Sequence, residues 1–442
     1  MSVKEAKYRQ QGLMDGTHQR ATRVRFGILA LIFVNVVVNY MDRSNISIAA
    51  PFLTKDLHLN SVQLGLIFSA FGWAYALLQV PGGWFVDRVK PRVLYTVTLG
   101  LWSLATLIQG LVRGFGGLFS LRISLGVLEA PAYPTNNRIV TSWFPENERA
   151  RAIGLYTSGQ FVGLAFLTPV LTAIQSAFSW RGLFIVTGTV GLVWAIVWYF
   201  FYRDPRDSKR VNHEELELIS DGGGLVDWKG KKAENEKKSG MKDFKFVLTK
   251  RKLWGIYLGQ FCVNSTLWFF LTWFPTYLVQ YRHMAFIKAG FLASLPYLAA
   301  FIGVIASGYI SDMLVKKGSS LGMARKTPII TGLLLSIAII GANFVEKPTW
   351  VILFMTLAFL GNGLASITWV FVSTLAPKDL VGLTGGIFNF IGNLASIVIP
   401  IVIGYLVKGG NFAPAITFIA GLGLIGAVSY IFLVGKVERI TD

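Results

Sequence analysis

The chain has a single cysteine, Cys262, only four histidines, and few charges: 15% of its 442 residues are Asp, Glu, Lys or Arg. One cysteine excludes an intramolecular disulfide, and no Cys/His spacing matches a metal site. Soluble domains carry about a quarter charged residues, so an ordinary globular domain is excluded. No phosphate loop and no nucleophile–base arrangement stands out, which argues against an enzyme, and no cofactor is implied. What the chain has in quantity is apolar: 53% of its residues are hydrophobic.

Those residues gather in twelve runs: 26–53, 62–86, 93–112, 115–140, 151–176, 181–202, 252–280, 286–312, 327–345, 349–375, 381–407 and 411–435. Each is long enough to cross a hydrocarbon core of about 30 Å as a helix. The pattern predicts an all-α membrane protein of twelve transmembrane helices in two six-helix bundles. Residues 26–202 form the first bundle and 252–435 the second. A charged cytoplasmic linker, 203–251, joins them, with tails at 1–25 and 436–442. Within the linker EELELI reads as one short amphipathic turn and the rest as solvated chain.

The net charge of +19 is explained by orientation rather than by nucleic acid. Basic residues crowd alternate loops, among them Arg20, Arg23 and Arg25, Arg88 to Arg92, Arg149 and Arg151, and Lys316 to Lys326. The positive-inside rule places both termini and the linker in the cytoplasm, against anionic lipid. The first 20 residues are polar, so no cleavable leader is expected and the first run serves as its own targeting signal.

The halves repeat weakly. Gly83 and Asp87 follow the second run, and Gly308 and Asp312 follow the eighth, at the same interval of 225 residues. A small residue, an aspartate and basic neighbours such as Arg88, repeated at matching cytoplasmic ends, suit a latch that holds one conformation. The repeat also makes the two bundles parallel copies.

Four charges lie deep in the first half: Asp42, Arg43, Arg122 and Glu129. A charge at the bilayer centre costs at least about 2.5 kcal/mol, so function is the default expectation. By helical rise Asp42 lies about 20 Å below the outer loop, Arg122 about 14 Å and Glu129 about 24 Å. The first and fourth runs should therefore meet there. Asp42 should sit near Arg122, with Glu129 below and Arg43 turned toward the central cavity. The signs cancel, so a purely structural network remains open. A carboxylate that changes partners between two conformations changes its proton affinity and can carry a proton. Arginine stays charged and offers a fork to an anion. Asp42 and Glu129 fit proton carriers, Arg43 an anion receptor and Arg122 a tuning cation. Uncharged polar groups stud the other runs: Tyr40, Tyr75, Gln160, Gln260, Asn264, Asn362, Ser366, Thr368, Asn389 and Asn393. With the apolar face of Trp369 they suit a hydroxyl-rich ligand.

GGWFVDRVKPR (Gly82–Arg92) resembles the signature loop of the major facilitator superfamily, with Pro91 where that signature usually has glycine. NYMDRSNIS, LRISLGVLEAPAYPTNNRIVTSWFPENERARAIG and GLTGGIFNFIGN resemble its anion:cation symporters. YTSGQFVGLAFLTP, SDGGGLVD, STLWFFLTWFP, ARKTPII and GNGLASITW resemble the sugar-acid transporters of that family. The resemblance implies alternating access and proton-driven uptake of a sugar-acid anion, D-galactonate or a related hexonate, by a protein of the bacterial inner membrane. It implies that Asp42 and Glu129 are the protonation sites and that Arg43 holds the substrate carboxylate. Tyr75, Gln160, Gln260, Ser366, Thr368, Trp369, Asn389 and Asn393 would line the site. Protons, the anion and membrane lipid are the expected partners of a monomer. Glucarate, galactarate and hexuronate symport, or organic-anion antiport, are the alternatives. The second half offers no second cation for a dicarboxylate.

Overall fold

The computed structural model describes residues 20–226 and 241–440; the side chains of 79–84, 87, 241 and 378 also lie outside the description. The described residues form helices joined by short turns. They are α1 (Val24–Asp56), α2 (Ser61–Arg88), α3 (Pro91–Gln109), α4 (Phe115–Glu129), α5 (Ala132–Trp143) and α6 (Glu146–Phe201), then α7 (His213–Asp221) and α8 (Met241–Thr249). The second half contains α9 (Arg251–Thr272), α10 (Phe286–Lys316), α11 (Leu321–Ser336), α12 (Pro348–Leu364), α13 (Val370–Leu375), α14 (Val381–Asn393), α15 (Ala395–Leu406) and α16 (Ala413–Val428).

Nine helical segments among the described residues are individually long and apolar enough to cross a membrane. The twelve crossings follow from three local causes. The 56-residue α6 is two antiparallel helices that meet at Ser179, whose φ of 64° and ψ of 175° reverse the chain in one residue. The fourth crossing is split at Ala130–Pro131 into α4 and α5, because proline cannot donate to the helical ladder. The seventh, α9, is less apolar because it carries Gln260, Asn264, Ser265 and Thr266, and it continues past Trp273 through Phe274–Thr276 and Tyr277–Tyr281. The tenth is interrupted after Gly361–Gly363, where Ala365–Trp369 tighten into a 3-10 turn. The sequence-based reading of twelve spans in two bundles of six is the architecture observed.

The two bundles close on one another at one end. Gly65 and Gly72 of α2 lie directly against α15 and the residues just before it. A Cβ on Gly65 would stand 2.5 Å from the Pro400 carbonyl oxygen, and one on Gly72 would stand 2.3 Å from Ser396 Oγ. Gly290 of α10 packs likewise on Thr172. Phe68 meets Trp273 at 5.4 Å, Phe71 meets Trp268 at 6.1 Å and Phe161 meets Phe359 at 6.2 Å. Gln280 donates across the seam to the Pro51 carbonyl and to Thr54, both at 3.3 Å. Toward the opposite end of the bundles this packing gives way. A Cβ on Gly154, Gly308, Gly382 or Gly386 would meet nothing within 4 Å, and Trp369 is 49% exposed. α15 packs along α2, while α14, the preceding half of the same crossing, barely touches it.

Residues 227–240 of the linker lie outside the described residues; the part before them is ordered. The α7 helix is capped by Asn212, which accepts from Glu215 N at 3.0 Å. It lies against the first bundle with Glu215 and Ile219 buried. The Glu215 carboxylate accepts from Thr22 Oγ1 at 2.6 Å, Val24 N at 3.0 Å, Arg25 N at 3.2 Å and Arg25 Nη1 at 3.1 Å. It thus closes the exposed amides at the start of α1, where a negative charge also suits the helix dipole. Arg25 holds Glu148 at 3.0 Å as well. Beyond α7, Gly222 accepts from Glu146 N at 2.8 Å and Leu225 donates to Thr141 at 3.0 Å. EELELI, expected as a short amphipathic turn, lies within α7; the burial of Glu215 was not expected, because a carboxylate that caps another helix looks, in sequence, like any surface glutamate.

Candidate functional site

The four deep charges converge where α1, α3 and α4 face one another. Asp42, Arg122 and Glu129 have no exposed surface and Arg43 is 4% exposed. Asp42 and Arg43 are adjacent on α1, so their side chains leave the helix about 100° apart. Asp42 turns into the first bundle, and Arg43 turns toward the seam between bundles. Arg122 and Glu129, seven apart on α4, share one face.

The pairing differs from the sequence-based expectation. Arg43 Nε donates to Glu129 Oε2 at 2.9 Å, a buried ion pair between the first and fourth crossings. Arg122 Nη1 donates to the main-chain carbonyl of Asp42 at 3.3 Å and not to its carboxylate. The carboxylate Oδ2 instead accepts from Trp102 Nε1 at 3.1 Å. Side-chain direction decides the partners. Arg43 is long enough to reach back down α1 to Glu129, while Asp42 is short and pinned by the indole.

Arg43 sits in an aromatic sleeve. Its guanidinium carbon is 4.8 Å from the Phe71 ring centroid, 4.7 Å from Tyr75 and 5.0 Å from Tyr40. These rings hold the fork in place and offer it cation–π stabilisation. Tyr40 donates to Gln160 Oε1 at 2.7 Å, so the expected polar residues of the first bundle form one connected group.

The facing wall comes from the second bundle. Thr368 donates to Gln260 Oε1 at 2.5 Å, and Gln260 donates to Asn264 at 3.4 Å. Gly392 makes this possible, since a Cβ there would stand 2.6 Å from Gln260 Cγ. Asn393 donates to the Asn389 carbonyl at 2.9 Å and to its side chain at 3.1 Å. Trp369 packs edge-on against Phe388 at 4.9 Å with its remaining surface open. Ser366 is half-buried on the same short turn. Asn362 donates to the Val263 carbonyl at 2.7 Å, which ties α12 to α9 and leaves it a packing residue. The first bundle thus offers a buried cation ringed by aromatics, and the second a cluster of amides, a hydroxyl and an indole. That inventory can bind a carboxylate at one end and hydroxyls at the other.

The latch positions are less fully described. Gly83 and the Asp87 side chain lie outside the described residues. Asp312 is exposed, and a Cβ on its glycine partner Gly308 would meet nothing within 4 Å. Arg88 is exposed at the end of α2. At this end Arg138 of α5 donates to the Val86 carbonyl, and to the Val89 carbonyl at 2.8 Å. Trp102 and Phe71 were missed by sequence reasoning. A buried indole gives no signal of its own in an apolar run, although Trp102 stands seven residues after Tyr95 and seven before Gln109.

Two six-helix bundles closed on one side over a charged cleft define a multi-pass membrane carrier. The chain matches the Major Facilitator Superfamily model over residues 32–400 and belongs to that superfamily. It is 54% identical over 419 residues to a D-galactonate transporter of Escherichia coli O6:H1, spanning 95% of this chain and 97% of that protein. It is 43% identical over 430 residues to the probable galactarate/D-glucarate transporter GarP of Escherichia coli K12, spanning 95% and 97%. Among solved structures, the D-xylose–proton symporter matches with a TM-score of 0.72 at 14% identity, over 94% of this chain and 99% of that one, a likeness of fold. The chain is a membrane transporter and not an enzyme.

Proposed function

We propose that the protein is a proton-coupled symporter that carries a sugar-acid anion, D-galactonate or a related hexonate, inward across the bacterial inner membrane. It works as a monomer with both termini in the cytoplasm. The relatives named for D-galactonate and for galactarate/D-glucarate support the substrate class. The observation that carries the mechanism is the buried Arg43–Glu129 pair at 2.9 Å beside the cleft.

Arg43 has one fork, and both Glu129 and a substrate carboxylate compete for it. Protonated Glu129 no longer holds the guanidinium, so a proton on Glu129 frees Arg43 for the anion. Loss of that proton restores the pair and expels the anion. Proton and substrate therefore favour each other through one cation, the reciprocity that coupling requires. Asp42 supplies a second proton-binding carboxylate. With a substrate charge of −1 and two protons, each cycle moves one net positive charge, worth about 2.3 kcal/mol per 100 mV. Gln260, Thr368, Asn389 and Asn393 meet the hydroxyls, and Trp369 covers the carbon chain.

The test is uptake of D-galactonate into proteoliposomes under an imposed pH gradient. Glu129→Gln mimics the protonated residue. It should keep substrate binding, read as a thermal shift, and lose accumulation above equilibrium. Accumulation that persists in this variant would overturn the coupling scheme. Exchange in the wild type without any pH-driven uptake would point to an organic-anion antiporter.

A further inference from the structure

The interior of the first bundle has a polar pattern that the substrate cleft does not use. Along α1, Asn35, Asn39 and Asp42 fall on one stripe. Along α3, Tyr95, Trp102, Thr106 and Gln109 fall on another. Along the fourth crossing, Arg122, Glu129 and Asn136 recur every seven residues, and on the second arm of α6, Thr187 and Trp194 do the same. Spacings of three, four and seven keep residues on one helix face, and these four faces look at each other.

Several direct bonds join them: Trp102 to Asp42 at 3.1 Å, Trp194 to Asn35 at 2.7 Å and Asn45 to Thr187 at 3.3 Å. Thr106 lies beside the Asp42 carboxylate, Asn39 beside Glu129, and Asn35 and Asn136 beside Tyr95. Yet half of the buried side-chain polar atoms that lack a partner in good hydrogen-bonding geometry, among the described residues, belong to this group. They include both polar atoms of Gln109, Thr106 Oγ1, Asp42 Oδ1, both polar atoms of Asn39 and Glu129 Oε1. The second bundle has far fewer. Buried polar atoms are ordinarily satisfied by protein or by internal water. A continuous column of this kind, at its upper end only two residues below the 61%-exposed Leu111, is built to hold exchangeable hydrogen-bond partners.

We propose that the outer part of this column, Gln109 and Thr106 of α3, is the path by which a proton reaches Asp42 from the outer side, inside the first bundle and separate from the substrate cleft. The inference rests on the symport reading above. Asp42 has no exposed surface and turns away from the cleft toward Trp102, so the cleft is not its route to water. The span from Gln109 to the level of Trp102 is about 10 Å by helical rise, short enough for a few relayed hydrogen bonds. Around Asp42, α3 presents Trp102 and Thr106, α4 presents Arg122 and Glu129, and α6 presents no ionisable group at this level. Inward of Asp42 the column reaches Glu129, whose carboxylate Arg43 holds at 2.9 Å, and that fixed ion pair deters a proton from running on unaided. The column thus loads Asp42 without short-circuiting the membrane.

The test compares two transport modes of purified protein in proteoliposomes with D-galactonate as probe. Net uptake needs a proton to bind and leave in every cycle. Counterflow cycles the loaded carrier and needs neither. Thr106→Val and Gln109→Leu keep side-chain volume and remove the relay groups. Each should slow pH-driven uptake by about tenfold or more while counterflow stays within about twofold of wild type. Thr106→Ser, which keeps the hydroxyl, should restore pH-driven uptake. The proposal is overturned if pH-driven uptake in both variants stays near wild type, or if counterflow falls in step with it. A wild type with no pH response overturns both the symport reading and this path. A responsive wild type with indifferent variants overturns the path alone. Should Gln109→Leu fail to fold, the Thr106 pair decides.

Discussion

Glu215→Ala should loosen the linker helix far more than a surface glutamate would. The carboxylate is fully buried and accepts four hydrogen bonds, two of them from the first amides of α1 and one from the Arg25 guanidinium. Breaking a buried ion pair by removing one partner costs about 3–5 kcal/mol, largely from the charge left behind. Arg25 keeps Glu148 at 3.0 Å, so the lower end applies, about 3 kcal/mol. This energy acts on the docking of α7 rather than on the whole protein, because α7 can lift from the bundle without unfolding it. At about 1.4 kcal/mol per factor of ten, amides of α7 should exchange roughly a hundredfold faster. Hydrogen–deuterium exchange read by mass spectrometry over residues 213–221 measures this directly. Glu215→Gln keeps an acceptor but no charge and should give an intermediate rate. Exchange within about threefold of wild type in Glu215→Ala would refute the claim that this carboxylate anchors the linker.

Further outcomes follow from other contacts. Gly65→Val puts side-chain atoms where the Pro400 carbonyl stands, so the two bundles should fail to close at this end. Transport should fall by about tenfold or more, with cysteines introduced at this seam staying accessible to thiol reagents. Arg43→Lys replaces a planar fork with a point charge and should weaken anion binding about 10- to 100-fold, read by titration in a thermal-shift assay. Just past the end of α6, burial pushes the Asp204 carboxyl above its ordinary range, although the Tyr202 hydroxyl donates to it at 3.0 Å. The folded state therefore binds this proton more tightly than the unfolded state. Its contribution to stability is full below the ordinary carboxylate range and is lost as pH rises through the raised value. Asp204→Asn should flatten that part of a thermal-shift profile taken between acid and neutral pH.

Much of this architecture can be read from the residues, and the reasons are physical. A span of lipid-soluble helix must be long and apolar, so the runs announce themselves, and the charged stretch between the halves marks the boundary. Asp42, Arg43, Arg122 and Glu129 stand out because hydrocarbon penalises them, and helical rise ranks their depth well enough to predict that the first and fourth crossings meet. Partner choice was not legible. It depends on rotamers and on neighbours such as Trp102 and Phe71, which look like ordinary apolar filler. The docking of Glu215 was hidden for the converse reason, since among many surface charges nothing distinguishes the one that is buried. The closure of the bundles at one end is also invisible in composition. It depends on where Gly65, Gly72 and Gly290 let two bundles touch, and small residues are common throughout the chain.

The Arg43–Glu129 bond has a consequence for how the protein is made. The first crossing carries two charges and the fourth another two, and each is a poor candidate for release into lipid alone. At about 2.5–3.5 kcal/mol per central charge on insertion scales, much of the first crossing's apolar advantage is offset until its partner arrives. The nascent chain should then linger at the insertion machinery until Glu129 has been synthesised, some 86 residues after Arg43. The second bundle, with no such debt in its crossings, should partition one helix at a time.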